Sequence, residues 1–126
     1  HLFPHSLIRE SELPMIIHSE NLRVEQRTGE RLGTSTKLLE EEQMHGEAKV
    51  FARVALRPGS MAPLHKHEGS FEAFYILAGK GEVNDNGVMA EVKVGDVMFT
   101  DDGESHSIRN TGETDLEYIA LVVNTQ

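Results

Sequence analysis

The chain has 126 residues, enough for one domain with a real buried core. Its 12 basic and 21 acidic residues leave a net charge of −9, which argues against nucleic acid as a partner, because a phosphate backbone calls for a basic footprint. There is no cysteine, which excludes disulfides, thiolate zinc fingers and a thiol nucleophile. No apolar run reaches the ~20 residues of a membrane helix and no signal-peptide pattern opens the chain, so a cytoplasmic protein without membrane contact is expected.

Residues 1–14 read as an irregular leader, native or vector-derived, ahead of a single domain over 15–126 with Met15 a candidate native start. Ile16-Ile17 and Leu22-x-Val24 read as edge strands, and Thr28-Gly29-Glu30 and Gly33 as turn material. Thr34 to Leu39 reads as a short strand. The Glu40-Glu41-Glu42 run fits a helical turn or a solvated loop, and the loop is the favoured reading.

From Ala48 the pattern is clearer. Val50, Ala52, Val54 and Leu56 alternate with Phe51, Arg53, Ala55 and Arg57, the period of a strand. Met61 to His67 and Phe71 to Ala78 follow as two more, with Phe74 and Tyr75 assigned to the core. Asp85-Asn86-Gly87 is a hairpin signal, because asparagine and glycine tolerate positive φ. Val88 to Val94, Val97 to Thr100, Ser105 to Asn110 and Leu116 to Asn124 complete the series, the last covered on both faces. Short, regularly spaced strands with glycine turns indicate a sandwich or barrel.

The chemistry concentrates between Gly59 and Gly79. His65 and His67 stand two apart, so a strand would aim both imidazoles at one spot, and a turn at Glu68-Gly69-Ser70 could return Glu72 to it. Two imidazoles and a carboxylate suit a divalent transition metal. An idle glutamate flanked by Phe71, Phe74 and Ile76 would be costly to bury.

The spacing goes further. Gly59, five residues, His65-x-His67, four residues, Glu72, six residues, Gly79 resembles the first motif of the cupin family. Gly95, five residues, Asp101-x-Gly103, two residues, His106, three residues, Asn110 resembles the second, with Asp101 in place of the usual proline. The 15 residues between them, Lys80 to Val94, are similar to the spacer of small single-domain microbial cupins.

The resemblance implies an all-β double-stranded β-helix, the RmlC-like jelly-roll barrel, with His65, His67, Glu72 and His106 as metal ligands. Three imidazoles and a carboxylate suit Mn, Fe, Ni or Co, with Zn possible. Beyond the ligands, Arg53 and Arg57 share a strand face and are candidates to bind a carboxylate, while Asp101 and Glu104 are candidate rim acids. For each of these four, an ordinary surface residue is the plainer alternative.

The function so implied is a small metalloenzyme acting on an oxygen-rich small molecule, as decarboxylase, dioxygenase or sugar isomerase. The alternative is a non-catalytic module that binds or senses a small ligand through its metal. The family likeness also implies a homodimer, with Met15 to Arg27 as the pairing segment.

Overall fold

The computed structural model of the chain describes residues 15–126. The expected leader lies outside these. Ten strands are present among the described residues: β1 (Arg23–Arg27), β2 (Gly33–Lys37), β3 (Ala48–Leu56), β4 (Met61–Lys66), β5 (Ser70–Ala78), β6 (Lys80–Asp85), β7 (Val88–Lys93), β8 (Val97–Thr100), β9 (Ser105–Asn110) and β10 (Leu116–Asn124). They form a six-stranded sheet in the order β1-β2-β3-β10-β5-β8 and a four-stranded sheet in the order β4-β9-β6-β7. Every pairing is antiparallel. The two sheets face each other as a jelly-roll barrel, the fold expected from the sequence.

The barrel has a dry end and a polar end. Along β5 the inward row runs Ser70, Glu72, Phe74, Ile76, and on antiparallel β10 it runs back as Val122, Ala120, Tyr118, Leu116. Leu56, Ile76, Ile108 and Leu116 are fully buried and close the dry end. Burying a side chain of that size stabilises the fold by roughly 1.5–3 kcal/mol. Asn110 sits among them with its polar atoms satisfied: Nδ2 donates to the carbonyls of Leu56 (2.8 Å) and Thr114 (2.9 Å), and Oδ1 accepts from the Gly112 amide (2.8 Å).

Two turns follow directly from residue type. Asn86 and Gly87, at φ 50° and 96°, make the β6–β7 hairpin. Gly79 joins β5 to β6 at φ +80°, where a Cβ would lie 2.5 Å from the Asp115 carbonyl oxygen. No larger residue fits there without backbone movement.

Four expectations need correction. Ile16-Ile17 is exposed irregular chain rather than an edge strand, and only Arg23–Arg27 pairs. The acidic run is a 3-10 turn at Glu41–Met44, because Glu40 and Gln43 form a reciprocal capping box that outweighs the solvated-loop reading. Tyr75 is 48% exposed, since it points to the outer face of β5 while Phe74 points in. The outer face of β10, at Ile119, Leu121 and Val123, is only half-buried.

Candidate metal centre

The centre is built by three strands, β4, β5 and β9, at the polar end. Ala62 of β4 is buried, so strict alternation would next turn Leu64 and Lys66 inward. The β4–β9 register instead shifts between Ala62 and His65: Ala62 pairs with Ile108, but His65 pairs with His106. One extra residue in β4 flips the parity, leaves Leu64 58% exposed, and aims His65 and His67 into the barrel. Pro63, which has no N–H to lose from the ladder, sits in this bulge.

Glu72 arrives from β5 and His106 from β9, and the four groups converge. Glu72 Oε1 lies 2.9 Å from both His67 Nε2 and His106 Nε2, and 3.8 Å from His65 Nε2. His106 Nε2 is 3.0 Å from the Nε2 atoms of His67 and His65. Metal bonds of about 2.1 Å place right-angle neighbours about 3.0 Å apart on an octahedral ion and about 3.4 Å on a tetrahedral one. Four of the five spacings match the octahedral value. The fifth, between His65 Nε2 and Glu72 Oε1, is wider at 3.8 Å.

The tautomers strengthen this fit. His65 Nδ1 lies 2.8 Å from the Pro63 carbonyl, which can only accept, so the neutral ring carries its proton there and turns a bare Nε2 inward. His106 Nδ1 is 2.7 Å from Thr100 Oγ1, and donating to it leaves Nε2 bare as well. Two lone pairs 3.0 Å apart beside a carboxylate repel one another unless a cation lies between them. Burial lowers the His67 pKa, opposed by the Glu72 carboxylate and reinforced by His106 and His65. A neutral imidazole is the form a metal requires. The His106 ring is further fixed by stacking on Phe74 at a centroid distance of 5.1 Å.

The four candidate ligands are thus brought together, and the other four candidates are not. Arg53 lies on the outer face of β3 and pairs with Glu117 through Nε at 3.1 Å. Arg57 faces Asp115 at 3.7 Å. Asp101 and Glu104 cap the β8–β9 turn: Glu104 Oε1 accepts the Asp101 amide at 2.9 Å, and Asp101 carboxyl oxygen accepts the Asp102 amide at 2.8 Å. None of these four lines the cavity over the centre.

That cavity, of about 480 Å³, opens past His65, His67 and Glu72 and is walled by residues without a sequence signal. Arg27 and Ser35 come from β1 and β2 and Arg31 from the 3-10 turn between them, far from either motif, and Tyr118 comes from the inward row of β10. Thr100 was the more legible omission, since it shares the inward face of β8 with Met98.

Comparisons with known proteins agree with the architecture. The family model described as cupin domain matches residues 52–123. The "oxalate-binding protein" of Thermotoga maritima is 49% identical over 113 residues, spanning 86% of this chain and 93% of that protein. A crystal structure titled as a predicted oxalate decarboxylase of Thermotoga maritima is 48% identical, with a TM-score of 0.80 over 87% of this chain and 99% of that one. An RmlC-like cupin of Shewanella frigidimarina, 17% identical, has a TM-score of 0.71 over 90% of this chain and 94% of that one, a likeness of fold alone.

Proposed function

The chain belongs to the cupin family, and from that premise we propose that it binds a divalent transition metal and uses the metal to capture a small carboxylate of the oxalate kind. The observation that carries the reading is the convergence of three imidazole Nε2 atoms and Glu72 Oε1 around one point, with bare lone pairs facing each other at 3.0 Å. His65, His67, Glu72 and His106 hold the ion. The near-octahedral spacing favours Mn(II), Fe(II), Ni(II) or Co(II) over zinc. A metal so bound supplies a Lewis acid with open positions for oxygen ligands. The T. maritima relative, named for binding oxalate, supports the ligand class.

Turnover is the second reading: decarboxylase, dioxygenase or isomerase chemistry on an oxygen-rich small molecule. One observation favours it. The Tyr118 hydroxyl is buried in the cavity wall, and burial raises its pKa, so it stays a proton donor. On the other side, among the described residues the cavity offers no spare buried carboxylate as a base: Glu72 is committed to the cluster, and Glu68 is an exposed rim residue 3.7 Å from Lys66. Capture therefore ranks above turnover.

The two readings separate in one experiment. The protein is loaded with each metal, its content measured, and oxalate added with binding, CO₂ release and oxygen uptake followed. Saturable binding without turnover supports capture, and turnover supports the enzyme. A chain that stays metal-free after reconstitution removes both. A homodimer remains part of the proposal, supported by uncovered Met15, Ile16, Ile17 and Val24 in the N-terminal segment. Light scattering that gives a monomer removes it.

A further inference from the structure

The cavity is not neutral. In a chain of net charge −9, four of its wall residues are cations: Arg27, Arg31, Lys49 and Lys66. Among the described residues, only Glu68 and the ligand Glu72 oppose them in the wall. Two of the cations are weakly occupied elsewhere. Arg31 is half-buried and has no ion-pair partner among the described residues. Arg27 pairs, among the described residues, with the exposed Glu25 alone, 3.3 Å from its Nε.

Two hydroxyls share this wall. Tyr118 is 2% and Ser35 7% exposed, and neither hydroxyl has a hydrogen-bond partner among the described residues. Buried hydroxyls are normally bonded, so both are set to serve a ligand. Tyr118 lies within electrostatic reach of Glu72, Arg27 and Arg31, and all four line the same cavity.

The fold explains how the arginines get there. β1 and β2 extend the six-stranded sheet past β3, and the 3-10 turn between them, Gly29–Arg31, packs across onto β4 of the opposite sheet. Arg27 ends β1, Arg31 ends the turn, and Ser35 lies in β2 opposite Val54. The N-terminal strands and the turn between them thus place a cationic rim on the cavity that opens over the metal cluster.

We propose that Arg27 and Arg31, with the hydroxyls of Tyr118 and Ser35, form a second anion subsite, so that the preferred ligand is a dicarboxylate longer than oxalate. This rests on metal capture of the first carboxylate. The second carboxylate reaches the arginines, whose planar donors suit it. A cavity of about 480 Å³ is far larger than a two-carbon diacid needs. Oxalate itself would spend both carboxylates at the metal and leave the subsite unused.

The test uses the full chain loaded with Mn(II), with metal content confirmed and binding followed by calorimetry. The probes are succinate, butyrate (equal in length, with one carboxylate) and oxalate. Wild type should bind succinate about tenfold more tightly than butyrate. The double variant R27Q/R31Q should lose that preference while its oxalate and butyrate affinities stay within about twofold. The single variant R31Q, whose side chain has no ion pair among the described residues to break, guards against misfolding and should lose part of it. Equal succinate and butyrate affinities in wild type overturn the subsite alone, as does an equal loss for all three ligands in R27Q/R31Q. Metal-loaded wild type that binds none of the three overturns the proposed function, and the subsite with it.

Discussion

Thr100 is hydrogen-bonded to His106, with 2.7 Å between Oγ1 and Nδ1, and both residues are buried to within 1% exposure. This contact decides which nitrogen of His106 turns toward Glu72. Replacing Thr100 by Val keeps the shape and removes the hydroxyl, leaving Nδ1–H unpaired and the ring free to change tautomer. Metal affinity should fall by about 10–100-fold with the fold retained. A competitive metal titration beside circular dichroism checks this, and unchanged affinity would show that Thr100 does not orient the ring.

His65 offers the cleanest ligand deletion. Its side chain is 37% exposed, whereas His106 is almost fully buried, so His65→Ala empties little core. We expect no metal retained after purification, against about one equivalent in wild type. Elemental analysis reads the result. Full occupancy in the variant would mean that the other three residues, or a different site, hold the ion.

The contrast between His65 and Leu64 also shows how far the sequence could be read. His65, His67 and Glu72 were legible from their spacing, and His106 only through the resemblance of its surroundings to the second cupin motif. The strands from Gly33–Lys37 onward were signalled by alternation and turn residues, β6 only as one arm of the Asp85-Asn86-Gly87 hairpin, and Arg23–Arg27 was signalled in part. The β4 bulge was not. Alternation from Ala62 would put Leu64 inside, and only tertiary pairing with β9 shows the slipped register. Arg27, Arg31 and Ser35 were invisible for a related reason: they reach the cavity through sheet extension, which leaves no local pattern. Arg53 and Arg57 misled because shared strand parity says nothing about which face points in.

The pH response follows from His67. Its folded pKa is lowered from 6.5, chiefly by burial, so as pH falls the unfolded chain takes up the proton first. The stability contributed by neutral His67 is therefore full above about 6.5 and is lost on acidification toward its lowered folded value. Metal-free protein should melt at a lower temperature at about pH 5.5 than at about pH 7.5, and His67→Gln should flatten that difference. Equal pH slopes in both proteins would assign the effect to other groups.

Asp102 ties the histidine-bearing loop to the end of β10, where the Thr125 amide also donates to the Gly69 carbonyl at 3.0 Å. Its Oδ1 accepts the Gly69 amide at 2.9 Å, and its Oδ2 accepts the Thr125 hydroxyl at 2.7 Å. These bonds, that from Thr125 first and that from Gly69 second, lower its pKa, so the clamp is present above the usual carboxylate range and is lost as pH falls below it. Two backbone bonds run alongside: the His67 amide to the Glu104 carbonyl at 3.0 Å, and the Gly103 amide to the His67 carbonyl at 2.7 Å. Because the backbone pair keeps the strands in place, Asp102→Ala should loosen only the segment from His67 to Gly69. Hydrogen exchange at the Gly69 amide should accelerate by about tenfold while the amides of β10 keep their protection. Metal affinity should fall less than in Thr100→Val, since no ligand loses its own hydrogen bond. Unchanged exchange at Gly69 would mean that the backbone pair alone holds the loop, and faster exchange throughout β10 would mean that Asp102 supports the whole barrel rather than this clamp.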